Sequence, residues 1–184
     1  MTRFKTPKAA TWAEINMSAL AANLDTVRKS APGREIIPVI KANAYGHGMT
    51  EFAKFMLTSC GIKRFGLARV SECVFLREKL GRKPGLLVLG GFLKQEAETI
   101  AEMGFEPSVF SLDEAKALNK ASLKAGKKTG VHVKINTGMN RLGIRPGDAG
   151  EFIRAIRSME GLELKGVYTH FYNSDSCDHG EDDT

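Results

Sequence analysis

Short apolar runs rich in β-branched residues recur along this chain, and a segment with helical spacing separates each run from the next. Few folds accommodate that rhythm. An opening strand is read around Trp12 to Ile15, then a helix from Ser18 with Leu20, Leu24 and Val27 on one face, ending before Pro32-Gly33. Strand 35–41 follows, then a helix from about Thr50 to Ser59 and strand 64–68. Ser71 reads as the N-cap of a helix through Leu80, with Glu72 behind it and Gly81 as its stop. The pattern continues through strand 86–89, helix 95–103, strand 107–110, helix 111–126, strand 131–136, helix 148–159 and strand 162–171.

Strict alternation predicts a right-handed parallel α/β architecture, either an open doubly wound sheet or a barrel. No G-x-G-x-x-G turn or Walker A string follows any strand, which disfavours a nucleotide-binding sheet. A complete (β/α)8 barrel takes ~250 residues, whereas this chain of 184 offers about six βα units. The expectation is therefore one domain, 1–184, an incomplete (β/α)8-type barrel with no second domain, part of a longer protein. An unclosed barrel leaves strand edges unpaired, so it should be poorly stable alone.

Composition narrows the class. The chain is 42% hydrophobic and 26% charged, within the range of globular domains. No apolar stretch approaches the ~20 residues of a membrane span, and Met1 to Asn16 lacks a secretory core. Cys60, Cys73 and Cys177 are odd in number and lack metal-site spacing, which predicts reduced thiols, a cytoplasmic location and no metal. The net charge of +6 is spread along the chain, so neither nucleic acid nor membrane is an expected partner. The tail 175–184 is acidic and expected to be loose.

Chemistry is expected where strands end, because α/β folds gather their sites there. Lys41 closes the run Ile36-Ile37-Pro38-Val39-Ile40 and leads into Ala42-Asn43-Ala44-Tyr45-Gly46-His47-Gly48. An amine held half out of water at that position suits Schiff-base chemistry, since desolvation favours its neutral, nucleophilic form. The two glycines allow close approach of a ligand, with Tyr45 and His47 as polar handles, an arrangement that suits a phosphate. Two further strings leave strand ends on the same rim: Lys134-Ile135-Asn136-Thr137-Gly138-Met139-Asn140-Arg141-Leu142-Gly143 and Gly166-Val167-Tyr168-Thr169-His170-Phe171. Taken singly, Arg141 reads as a surface residue and His170 as a core histidine bonded to backbone. Together with Lys41 they define one site on one face.

The string from Lys41 to Gly48 closely resembles the pyridoxal-phosphate lysine motif of alanine racemases, and the other two strings match that family in order and spacing. The resemblance runs from Glu14-Ile15-Asn16 to His170 and corresponds to the family's N-terminal half. It implies a pyridoxal 5'-phosphate enzyme interconverting L- and D-alanine, supplying D-alanine for peptidoglycan, with alanine as the small-molecule substrate and a homodimeric full-length form. Lys41 resembles the lysine that binds the cofactor covalently and serves as one of two bases, and Tyr45 the phosphate-contacting tyrosine. Arg141 resembles the arginine that touches the cofactor's phenolic oxygen and orients the substrate carboxylate. Lys134 aligns with a lysine carbamylated in some members, which holds that arginine. His170 resembles the histidine behind an arginine facing the pyridine nitrogen. In the family the second base is a tyrosine of the C-terminal β domain, donated by the other subunit, so this chain is expected to be inactive alone. Neither Tyr168 nor Tyr172 matches that base. Asn136 stands where the family usually has aspartate, which removes a charge without removing cofactor binding.

Two other readings fit the same residues. A non-catalytic pyridoxal-phosphate-binding module would keep Lys41 and Tyr45 without racemising. A cofactor-free barrel aldolase would use Lys41 directly, and Tyr45, Gly46 and Gly48 make that less economical.

Overall fold

The computed structural model describes residue 11 and residues 13–174; Trp12, Cys177 and the acidic tail lie outside the described residues. Five strands form one all-parallel sheet in chain order: β1 (Arg64–Leu67), β2 (Gly85–Val88), β3 (Glu106–Val109), β4 (Thr129–Lys134) and β5 (Leu162–Tyr168). Right-handed helices Met17–Ser30, Met49–Ser59, Val70–Leu80, Ala97–Met103, Leu112–Lys124 and Ala149–Arg157 alternate with the strands. This is the predicted parallel α/β order, and none of these helices is long and apolar enough to cross a membrane.

Side-chain alternation divides the sheet into two faces. Phe65 and Leu67, Leu86 and Val88, and Val131 and Val133 all belong to the apolar core together with the helix residues Leu76, Ile100, Leu118 and Ile156. Each fully buried aliphatic or aromatic side chain of this kind contributes ~1.5–3 kcal/mol. The intervening residues Gly66, Leu87, His132, Lys134 and Tyr168 line a cavity on the other face. Ile37 and Val39, from beside β1, line that cavity with Tyr168 of β5 and His170 just beyond it, at the opposite end of the sheet. The sheet therefore curls on itself, as a barrel wall does.

Four sequence expectations change. Residues 13–16 are irregular rather than strand, because Asn16 is spent as a cap: its Oδ1 accepts the Ala19 N–H at 2.9 Å. The 35–41 strand contracts to one bridge, Val39 opposite Gly66. Pro38 has no N–H, so it contributes only its carbonyl, to Gly66 N at 2.9 Å, while Ile40 N reaches the Gly66 carbonyl at 2.9 Å. The helix read from Ser71 is capped at Arg69, since Glu72 accepts the N–H groups of Ala68 (2.8 Å) and Arg69 (3.1 Å). Strand β5 also ends at Tyr168 instead of continuing to residue 171. Cys73 is buried, and burial, aided by the nearby Glu72 charge, pushes its thiol up to about 12, which keeps it an inert packing group.

Candidate active site

Lys41 does not end a strand; it begins a left-handed turn. Ala42, Asn43, Ala44 and Tyr45 have φ of 50°, 56°, 54° and 54°. L-residues disfavour that hand by about 1–2 kcal/mol each, so the turn must be held from outside. Within it, Ala44 N donates to the Ile40 carbonyl (2.9 Å) and Gly46 N to that of Ala42 (3.0 Å). The Asn43 side-chain oxygen accepts Met49 N at 2.8 Å. The Ala42 N–H, too early in the turn to find a partner there, donates to Glu72 Oε1 at 2.7 Å. Ala44 packs its methyl into the core. Residues four apart share a face of such a turn, and Tyr45 accordingly stands beside Lys41, with Nζ 5.8 Å from the ring centroid. His47 departs from its expected role: its Nδ1 lies 2.8 Å from the Ala44 carbonyl, so it braces the turn and does not line the cavity.

The second string forms a closed loop. Ile135 and Ile144 are bridged in parallel, with Ile144 N donating to the Lys134 carbonyl (3.0 Å) and Asn136 N to that of Ile144 (2.8 Å). Asn136 Oδ1 accepts the N–H groups of Gly138 (3.2 Å) and Asn140 (2.9 Å), while its Nδ2 donates to Asn140 Oδ1 at 2.9 Å. The amide thus organises the loop that presents Arg141, using a donor that a carboxylate lacks. The base of the loop allows no side chain at Gly143, where a Cβ would stand 2.8 Å from Asn136 N.

All five predicted site residues, Lys41, Tyr45, Lys134, Arg141 and His170, line one open cavity of about 770 Å³. That volume falls within the usual range of small-molecule sites. His170 is exposed there, not a satisfied core histidine. Lys134 is 7% exposed. Burial, reinforced by the positive charges of Arg141 and Lys41, holds its ammonium below the usual lysine range. Its Nζ lies 5.6 Å from the centre of the Tyr168 ring. Burial pushes the Tyr168 phenol up, and its hydroxyl lies 2.6 Å from Ser108 Oγ and donates to the Leu89 carbonyl at 3.3 Å.

Among the described residues no aspartate or glutamate lines this cavity, whereas two lysines and an arginine do. That lining fits a phosphorylated aldehyde: an amine to condense with the carbonyl, and cations for the phosphate, a phenolate and a substrate carboxylate. Gly66 keeps the floor open, since a Cβ there would meet Leu89 at 2.8 Å and Val39 at 3.3 Å.

Sequence reading missed two contributors. His132 lines the cavity, and its Nε2 lies 2.9 Å from Glu106 Oε2 within the barrel wall. The alternation Val131-His132-Val133-Lys134 already placed His132 and Lys134 on one face. Glu72 carried no comparable signal, because its link to Ala42 spans 30 positions.

A parallel α/β barrel wall whose cavity gathers Lys41, Lys134 and Arg141, with no carboxylate among the described lining residues, defines a barrel protein with a cationic cavity. The sequence profile of the alanine racemase N-terminal domain matches residues 15–184. The alanine racemase of Methanococcus maripaludis is 38% identical over 169 residues, 91% of this chain and 45% of that protein. Clostridium difficile alanine racemase, solved in complex with cycloserine, superposes with a TM-score of 0.82 at 33% identity, over 90% of this chain and 46% of that one. Alanine racemase from Bartonella henselae, solved with covalently bound pyridoxal phosphate, gives a TM-score of 0.76 at 28% identity, over 86% of this chain and 46% of that one. The chain belongs to the alanine racemase N-terminal domain family. It spans about 45% of the length of the curated relatives it matches.

Proposed function

We propose that this chain is the cofactor-bearing barrel portion of a pyridoxal 5'-phosphate-dependent alanine racemase, with Lys41 as the covalent anchor. The observation that carries this reading is the convergence of Lys41, Tyr45, Lys134, Arg141 and His170 on one cationic cavity from three separate sequence strings. When bound, pyridoxal phosphate withdraws electron density from an amino acid's Cα and acidifies the α-proton.

The chain's own residues supply binding, orientation and one proton path. The Tyr45 phenol donates to a phosphate oxygen. The Arg141 fork donates to the substrate carboxylate and fixes the Cα–H direction. Lys41 Nζ, once free of the cofactor, removes or returns the proton on its own face. Carbamylation of Lys134 would replace a buried cation among cations by an anion facing Arg141, which the burial and charges around that amine favour. His170 stands ready to receive a hydrogen bond from a group above the rim. Proton delivery to the opposite face requires a second base, and by resemblance a tyrosine of a C-terminal β domain from the other subunit of a homodimer supplies it. Cytoplasmic D-alanine supply for peptidoglycan is the biological role this reading carries.

The decisive experiment follows exchange of the alanine α-proton for solvent deuterium and formation of D-alanine, with pyridoxal phosphate present. Racemisation is expected when the remaining length of a family protein is supplied in trans, with little or none from this chain alone. A cofactor adduct with no exchange in either case would favour the binding-module reading. Racemisation at a full enzyme's rate by this chain alone would contradict the assignment of the second base.

A further inference from the structure

The Glu72 side chain ties the Lys41 turn to the neighbouring strand end. Its two carboxylate oxygens face different elements. Oε1 accepts the N–H of Ala42 (2.7 Å), the residue that follows Lys41 and the first of the left-handed run. Oε2 accepts the N–H groups of Ala68 (2.8 Å) and Arg69 (3.1 Å), just beyond β1. The tie runs alongside the bridge between Val39 and Gly66, so Lys41 is held by pairing on one side and by a carboxylate on the other. A left-handed turn of non-glycine residues persists only when its surroundings over-determine it. The Ala42 N–H is where that determination reaches the residue next to the reactive amine.

We infer that Glu72 is a positioning residue for Lys41: its carboxylate, bridging Ala42 to Ala68 and Arg69, sets the direction in which the Lys41 amine enters the cavity. This rests on the reading of Lys41 as the cofactor anchor. Glu72 does not line the cavity and is not itself a catalytic residue. An amide cannot replace it, because glutamine has one accepting oxygen for donors on two elements and turns an –NH2 against the other N–H.

The test compares wild type, E72Q and E72A with S122A, which removes a buried hydroxyl bonded to Thr129 far from the turn. Three quantities are read on the whole chain: the rate of adduct formation with pyridoxal phosphate, the pH midpoint of the adduct's absorbance, and the urea midpoint. Adduct formation is expected to slow roughly ten- to a hundredfold in E72Q and E72A, and the absorbance midpoint to move, whereas S122A loses stability with neither change. If E72A does not fold, E72Q with amide exchange at Ala42 decides, faster exchange there being expected. Glu72 variants that lose stability but keep the wild-type adduct rate and midpoint would show a merely structural carboxylate and overturn the inference. Absence of an adduct at Lys41 in wild type would instead overturn the anchor reading, and this inference with it.

Discussion

Ser108 Oγ on β3 lies 2.6 Å from the Tyr168 hydroxyl on β5, a contact that passes over the intervening strand β4. Next-but-one strands are separated by about twice the ≈ 4.8 Å neighbour spacing, so the Tyr168 ring reaches across β4 to meet Ser108. The cavity lined from both ends of the sheet gives the wall its curvature, and long side chains such as Tyr168 cross its interior. Tyr168→Phe removes this contact and the bond to the Leu89 carbonyl. The expected loss is ~1 kcal/mol, read as a lower urea midpoint. Since Tyr168 is not assigned as a base, adduct formation at Lys41 should be unchanged.

Glu106 gives the fold an acid-sensitive point. The His132 ring N–H held to its carboxylate, with Arg64 and Lys165 nearby, keeps Glu106 below the usual glutamate range despite partial burial. A depressed carboxyl contributes stability that is fully present above its unfolded pKa, near 4.5, and is lost as pH falls through the folded value. Urea midpoints measured from neutral pH downward should therefore fall more steeply in wild type than in Glu106→Gln. Parallel curves would refute the assignment.

Lys134 is the group to watch for carbon dioxide. Its depressed pKa leaves more neutral amine than a surface lysine offers, and the neutral amine is the form that attacks CO2, releasing one proton as the carbamate forms. With 13C-bicarbonate a single carbamate resonance is expected, absent from Lys134→Met. A resonance that survives the substitution would place the modification elsewhere.

The loop that presents Arg141 depends on Gly143. Its φ is +122°, and an added Cβ would stand 2.9 Å from the Ile135 carbonyl carbon. Gly143→Ala is expected to cost about 1–3 kcal/mol and to open the Ile135–Ile144 bridge. Amide exchange at Asn136 and Ile144 should accelerate, and affinity for pyridoxal phosphate should fall without loss of the β1–β4 core.

The alternation of strands and helices was legible because burial on both faces of a parallel sheet writes continuous apolar runs, as in Leu86-Leu87-Val88. The rim residues were legible because their strings are long and specific. Local pattern failed where long-range geometry decides. Pro38 sits in an apolar run yet cannot donate to a ladder, so the first strand shrank to a bridge. Ala42, Ala44 and Tyr45 have no left-handed propensity, and the hand of their turn is imposed by Glu72, Asn43 and the buried Ala44 methyl. His47 looked like a ligand because its bond to the Ala44 carbonyl is invisible in sequence.

Every role proposed for the cavity residues depends on Lys41 as the covalent anchor. Borohydride reduction of the chain incubated with pyridoxal phosphate, followed by peptide mass mapping, tests it most directly. A yellow complex and a single pyridoxyl mass on the Lys41 peptide are predicted, lost in Lys41→Ala. Labelling spread over surface lysines such as Lys124, with the Lys41 peptide unmodified, would contradict it.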